Sequence, residues 1–311
     1  MATYLITGVA GFIGSNLAEE ILRRNETVRG IDNFKTGRRD NIAGLRGLDF
    51  VEGDITSLDT MKRVMQGVDY VLHQAAIPSV PRSVAAPIDS NQANVTGTLT
   101  VLEAARSNGK IKRVVYAASS SAYGDTPTLP KVETMPPRPR SPYAVSKLAA
   151  EYYVRTIGGL WGIETVCLRV FNAYGPGQHI PPVHAPVIPQ MLRNARLNGT
   201  IVVHGDGNQT RDYVYIDDVV NAMVSASSAL NINQQIINIG SGRETSVREL
   251  VRMVMELTGS HPEVVYNPRT ESGPAHMCAD LTLARERLGY QTTIALEMGL
   301  RITMERDARL K

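Results

Sequence analysis

Cysteine is nearly absent, with only Cys167 and Cys278 in 311 residues. They lie far apart and form no Cys-x-x-Cys pair, so neither a zinc site nor a redox motif is expected, and no metal at all. Cys167 falls in the apolar run Thr165-Val166-Cys167-Leu168 and reads as a small buried hydrophobe. Long apolar runs are missing too. Nothing approaches the roughly 18 residues a membrane-spanning helix needs. The chain opens on a strand with no basic lead-in or cleavage site, so a cytoplasmic protein with no membrane association is expected. Charge of one sign is scarce: 33 lysines and arginines against 30 acids leave +3. That balance argues against a dedicated nucleic-acid surface, and the short pairs Arg23-Arg24 and Arg38-Arg39 read as solvated faces.

What the chain does have is alternation. Tyr4–Thr7, Thr27–Ile31, Leu48–Val51, Asp69–His73 and Arg113–Ala118 read as buried strands, and Phe12–Arg24 and Val95–Arg106 as helices. This spacing predicts a parallel sheet with helices on both faces. Right-handed crossovers would line the strand C-termini along one edge, where ligands bind. The second half is less regular. Residues 176–189 hold five prolines, a rigid excursion over the sheet edge, and Asp217–Leu230 and Ser246–Leu257 read as helices.

Directly after the first strand comes Thr7-Gly8-Val9-Ala10-Gly11-Phe12-Ile13-Gly14. The spacing is Gly-x-x-Gly-x-x-Gly. Gly8 permits the tight turn, Gly11 lets backbone approach a pyrophosphate, and Gly14 allows close helix–strand packing. The helix N-terminus then offers N–H groups and a positive dipole end. Asp32 ends the second strand, 18 residues after Gly14, followed by Asn33. A carboxylate there accepts ribose hydroxyls and repels a 2′-phosphate, which favours NAD over NADP; Arg38-Arg39 is the counter-indication. Asp54-Ile55 follows the third strand, where an acid either meets the adenine amino group or simply closes a turn. Ala75-Ala76 follows the fourth, where small side chains let the cofactor lie close. The fold expected is α/β, a Rossmann-like doubly wound parallel sheet in residues 1–171. A smaller C-terminal α/β substrate domain would occupy mainly 172–311, with part of 213–240 returning to the first.

Tyr143-Ala144-Val145-Ser146-Lys147 puts a phenol and an ammonium at i and i+4 on one helix face. Upstream, Ser119-Ser120-Ser121 sits at the end of the strand that begins near Arg113. A phenol with a reference pKa of about 10 is a poor base at neutral pH, and moving it to about 7 requires about 4 kcal/mol. One unit charge at about 4 Å contributes on the order of 4 kcal/mol at an effective dielectric of 20. Lys147, helped by a positive nicotinamide, supplies a shift of that size. A serine hydroxyl would hold the substrate oxygen and relay its proton.

With these motifs assembled, the chain resembles the extended short-chain dehydrogenase/reductase family. Within it, the likeness is to nucleotide-sugar epimerases such as those acting at C4 of UDP-glucose and UDP-N-acetylglucosamine. The resemblance spans nearly the whole length. It runs through the glycine loop, Gly53-Asp54-Ile55, Asn94-Val95-Thr96-Gly97-Thr98, Ser119 to Gly124, Tyr143 with Lys147, Arg169 to Pro176, and Gly205 to Tyr213. It implies a tightly held NAD that is recycled. Tyr143 would remove the sugar 4-hydroxyl proton, C4 hydride would pass to NAD, and the 4-keto sugar would rotate before hydride returns. Four residues before Tyr123, Ser119 best matches the family's catalytic hydroxyl, with Ser120 and Ser121 still open. Asn94 would join the cofactor site, and relatives commonly form homodimers through the helices containing Asn94–Arg106 and Tyr143–Arg155.

On the substrate side, Arg211 sits in a glycine-rich polar loop and suits a diphosphate. Asn172 ends a strand and contacts the nucleotide-sugar in similar enzymes. The stretch Arg269 to Asp280 departs from the usual pattern, with Arg269 displaced by one residue and the expected acid replaced near Gly273. Met277 falls where such epimerases line the sugar pocket, and its flexible side chain would admit an N-acetyl sugar. Ser79-Val80-Pro81-Arg82-Ser83 resembles the corresponding loop of N-acetylhexosamine 4-epimerases. Two rivals follow. Nucleotide-sugar 4,6-dehydratases carry an Asp-Glu pair where this chain has Ser120 and Ser121, and a decarboxylase would need its characteristic acid. A non-catalytic NAD-binding scaffold on the same fold is a different class, against which Tyr143, Lys147 and a serine speak together.

Overall fold

A computed structural model describes residues 1–181, 185–267 and 273–310. The first elements are β1 (Thr3–Thr7), α1 (Phe12–Arg23), β2 (Thr27–Asp32), β3 (Leu48–Glu52), α2 (Leu58–Val64), β4 (Tyr70–His73), α3 (Val80–Ala85) and α4 (Pro87–Asn91). After them come α5 (Gly97–Asn108), β5 (Arg113–Ser119), α6 (Pro142–Trp161), β6 (Thr165–Val170) and β7 (Asn172–Tyr174). The chain continues through α7 (Val187–Arg196), β8 (Ile201–His204), β9 (Thr210–Arg211), β10 (Tyr213–Tyr215), α8 (Ile216–Ser228) and β11 (Gln235–Ile239). It closes on β12 (Thr245–Ser246), α9 (Val247–Thr258), β13 (Val264–Asn267), α10 (Thr282–Leu288) and α11 (Leu296–Arg306).

Seven strands form one parallel sheet in the order β11-β6-β5-β4-β1-β2-β3. Chain direction reverses across the sheet between β1 and β4, so a crevice opens at their C-terminal ends. α1 and α8 pack together on one face, and α2, α5 and α6 on the other. Strands covered on both faces have no polar side to present. Accordingly β6 is buried throughout and β5 at all but its last residue. Each fully buried Val, Leu or Ile there contributes about 1.5–3 kcal/mol. Three short pairs, β7 with β10, β9 with β12 and β8 with β13, lie outside this sheet.

Boundaries follow local chemistry. The helix expected from Val95 extends further back, with α4 running through a π turn at Gln92–Thr96 into α5 at Gly97. The strand expected from Asp69 starts at Tyr70, because the Asp69 carboxylate is turned to the Thr3 N–H and to Lys112. The helix expected to reach Leu230 stops at Ser228. There the Arg113 guanidinium takes the carbonyls of Ala226 and Ala229 at 2.9 and 2.7 Å. No helix of the described residues is long and apolar enough to cross a membrane.

Candidate active site

The loop between β1 and α1 turns on Gly8, whose φ is +71°; a Cβ there would stand 2.8 Å from the backbone of Ala75. At Gly14 a Cβ would lie 2.2 Å from the Gly8 carbonyl oxygen. Backbone is thus pressed on backbone, leaving a floor free of side chains. Gly11 caps α1 with extended backbone and no side-chain bond, and no acid stands in the first turn. The positive end of the helix therefore faces that floor unopposed.

At the end of β2 the buried Asp32 carboxylate accepts the N–H of Ala10 at 3.0 Å and of Phe34 at 2.8 Å. Burial pushes its pKa up, and these backbone donors pull it back. Of the arginines that argued for a 2′-phosphate, Arg38 borders the cavity and Arg39 does not, and each is paired with an acid. Arg38 bonds Asp40 at 2.7 Å, and Arg39 bonds Glu52 at 2.8 Å while lying over the Phe34 ring. Asp54 closes its turn by accepting from Thr56, and it holds the Asn33 amide at 2.7 Å. Phe12, Ile13, Asn33, Ile55, Ala75 and Ala76 border the same cavity, of about 1240 Å³.

Across the crevice, Ser119 ends β5. From β2 to β5 is three strand spacings, about 14 Å. Ser141 caps α6 by accepting the Ala144 N–H at 3.1 Å, with Pro142 in the first turn. That start puts Tyr143 in the first turn and Lys147 one turn on. Lys147 is buried and Tyr143 half-buried, and both border the cavity. Among the three serines, Ser119 is the one whose hydroxyl acts on the Tyr143 phenol, lowering its pKa. Its hydroxyl also meets that of Ser121 at 2.8 Å, while Ser120 is buried in the cavity wall.

Ionisation at this end departs from the expected balance. Burial raises the Tyr143 pKa, and the Ser119 hydrogen bond lowers it only in part. Burial also lowers the Lys147 pKa to about 7, with its Nζ 4.2 Å from the Tyr116 ring centre. The lysine alone thus falls short of the shift estimated from a full charge, because desolvation weakens the charged form of both groups. A second positive charge beside the phenol would lower its pKa further.

On the remaining wall stand Ser79, Arg82, Asn172, Arg211 and Met277. Ser79 caps α3. The Arg211 guanidinium donates to the carbonyls of Thr210 and Pro274, both at 2.7 Å. Asp212, missed in the sequence, organises this wall. Its buried carboxylate accepts the N–H of Ser241 at 2.6 Å and of Gly242 and Ala279 at 3.0 Å. The signal was there in its place beside Arg211. Arg269 lies outside the described residues. Asn94 is buried beside the wall, its side-chain oxygen accepting the Ile77 N–H and its amide nitrogen donating to Ser146 Oγ. Among the described residues, the carboxylates bordering the cavity are Asp32 and Asp54 alone, and no cluster of three metal-ligating side chains occurs.

The side-chain-free floor, the open helix terminus and the Asp32 carboxylate fit a dinucleotide whose ribose carries free hydroxyls. Fold and site together define a class, the enzymes that oxidise a hydroxyl against a bound dinucleotide. Residues 4–240 match the model of the NAD dependent epimerase/dehydratase family, and the chain belongs to that family. It is 38% identical over 307 residues to the UDP-glucose 4-epimerase of Mycolicibacterium smegmatis, covering 97% of each chain. The crystal structure of the Thermotoga maritima UDP-glucose 4-epimerase with UDP-glucose superposes with a TM-score of 0.93 at 34% identity, covering 97% of each chain. That of the Thermus thermophilus UDP-glucose 4-epimerase in complex with NAD gives 0.88 at 32% identity, covering 97% of this chain and 98% of that one.

Proposed function

We propose that this protein is an NAD-dependent 4-epimerase of a UDP-hexose or UDP-N-acetylhexosamine. The observation that carries the reading is the segregation of groups along one cavity. Tyr143, Ser119 and Lys147 gather at the β5 end, while both bordering carboxylates belong to the β2 and β3 end. A phenol beside a hydroxyl can take a proton from a sugar hydroxyl. Elimination of water from C5 and C6 needs a further acid and base beside it, which Ser120 and Ser121 do not provide.

Bound on the glycine floor, NAD supplies reversible hydride acceptance and the positive nicotinamide charge that the ionisation balance calls for. The chain's own residues do the rest. Asp32 accepts the ribose hydroxyls. Ser119 hydrogen-bonds the sugar 4-oxygen, and Tyr143 takes its proton. Lys147 stabilises the resulting phenolate whenever it carries its own proton. Arg211 grips the diphosphate, with Asn172 beside it. Both faces of C4 must be presented in turn, so the sugar has to rotate. The adaptable thioether of Met277, next to Ser79 and Arg82, leaves room for that and for an N-acetyl group.

The division of labour is residues 1–171 for cofactor and mainly 172–311 for substrate, with part of 213–240 returning to the first. We further take the protein to be a cytoplasmic homodimer, consistent with two unpaired buried cysteines and with the apolar side chains that α6 exposes.

The test is turnover across UDP-, dTDP- and GDP-sugars, each labelled with deuterium at C4. An epimer that keeps the label at C4 is expected with a UDP-sugar. Label found at C6 with loss of water would make the protein a dehydratase. Bound NAD without turnover of any sugar would make it a scaffold.

A further inference from the structure

Behind the cavity wall run two short lines of hydrogen bonds that meet at Asn94, one at its backbone carbonyl and one at its side-chain amide, and their direction can be read at every step. The Thr98 hydroxyl has one proton, which goes to the Asn94 carbonyl at 2.6 Å. Thr98 must therefore accept from His73 Nε2, 2.9 Å away, so Nε2 carries the imidazole proton. Nδ1 is then the acceptor, and it meets the Thr7 hydroxyl at 2.7 Å. Thr7 in turn accepts the Ala75 N–H at 3.2 Å.

The second line is equally determined. The Asn94 oxygen accepts the Ile77 N–H at 2.7 Å, which fixes the amide's orientation. Its nitrogen donates to Ser146 Oγ at 2.9 Å, and that hydroxyl donates to the Tyr143 carbonyl at 2.8 Å. Every proton has one place to go. Meeting at Asn94, the two lines run from the strand that carries the glycine loop to the backbone of the residue that takes the substrate proton.

We propose that His73 is a positioning residue, whose neutral Nε2–H tautomer ties the cofactor floor through Thr98 and Asn94 to the first turn of α6 and holds Tyr143 in register with the cofactor. The π turn at Gln92–Thr96 fits this role, since it brings Asn94 into line with both Ile77 and Ser146. Two titratable groups face the imidazole: Tyr116, with ring centroids 5.4 Å apart, and Lys147. Burial opposes protonation of the ring and the Lys147 charge adds to it, so the ring stays neutral and the tautomer is kept. The proposal rests on Tyr143 as the proton-abstracting group.

The test has two arms on the NAD-loaded protein. The first needs no substrate. With nitrogen-15 in the six histidines, His73 should show the Nε2–H tautomer and fail to titrate across the range where free histidine does. His73→Phe and Thr98→Val should each speed amide exchange at Ser146 and Lys147 about 10-fold, the worth of one buried hydrogen bond. A titrating imidazole, an Nδ1–H tautomer, or unchanged exchange overturns the proposal, whatever the protein's substrate.

The second arm uses UDP-glucose. His73→Phe and Thr98→Val should lower kcat about 10-fold at unchanged KM, Thr98→Ser should restore it, and the double variant should be no worse than either single one. Additive losses, or a raised KM with kcat intact, also overturn it. Should His73→Phe not fold, the Thr98 pair decides. If the parent protein leaves UDP-glucose untouched, the functional reading fails on that substrate, and the first arm still judges His73.

Discussion

Glu151 receives the Arg169 guanidinium through both arms of the fork, at 2.9 and 2.7 Å, and neither side chain is more than 2% exposed. The pair joins α6, one turn beyond Lys147, to the end of β6. Removing one partner strands the other charge in the interior, so Glu151→Ala should lower unfolding free energy by about 3–5 kcal/mol. Replacing both by apolar residues of similar volume should recover most of it. Urea denaturation of the holoprotein checks this. A loss below about 1 kcal/mol for Glu151→Ala would show that the pair is not desolvated as described.

Tyr143→Phe keeps the ring's packing and deletes the only group assigned to the 4-hydroxyl proton. Epimerisation should fall on the order of 10²–10⁴-fold with NAD still bound. Steady-state rates, with bound cofactor measured on the released nucleotide, settle the matter. Full activity in this variant would mean another base.

Asp32→Ala tests cofactor choice. The parent should bind NAD(H) more tightly than NADP(H), and the variant should lose that preference, since the carboxylate that repels a 2′-phosphate is gone. Equal affinities in the parent would contradict the assignment.

A pH effect on stability follows from His73. Its folded pKa is held at about 3 against 6.5 when unfolded. Above pH 6.5 neither state binds the proton. As pH falls from there, the unfolded chain takes up a proton that the folded one refuses, so stability is lost. Between pH 6.5 and 5 the loss is about 2 kcal/mol. The parent should show that slope and His73→Gln should lack it, as read from denaturation midpoints. Identical slopes in the two proteins would refute the assignment.

Assembly is testable as well. α6 exposes Val145 at 52% and Tyr152 at 48%, and the neighbouring α4 exposes Ile88 at 82%. Light scattering at micromolar concentration should give a dimer, and Tyr152→Glu a monomer. A monomeric parent removes this claim.

How much of this was legible beforehand depended on range. β1, the glycine loop and Asp32 are a local pattern, and a strand, a tight turn and a helix N-terminus are built from neighbours in sequence. The Tyr143–Lys147 spacing is likewise a property of one helix. The serine run was ambiguous because three adjacent hydroxyls look alike until α6 is docked, when Ser119 faces the phenol. The partners of Asn94 were hidden for the converse reason: a π turn directs its side chain to Ser146, and nothing local in the sequence signals a π turn. His73 read simply as the end of a strand, and nothing local revealed its partners Thr7 and Thr98, which come from other elements. The ionisation of Lys147 also escaped, because burial is a property of the packed core and not of a five-residue motif.

The turn at Gln92–Thr96 has one more consequence. A π turn accommodates one residue more than an α turn. Winding the same residues as an ordinary α-helix would instead rotate what precedes the turn by about 100° relative to α5. What precedes it is α3 and α4, with Ser79 and Arg82 on the cavity wall. The winding of this turn therefore sets how the sugar side of the wall faces α5, and two residues of the turn, Gln92 and Ala93, border the cavity themselves.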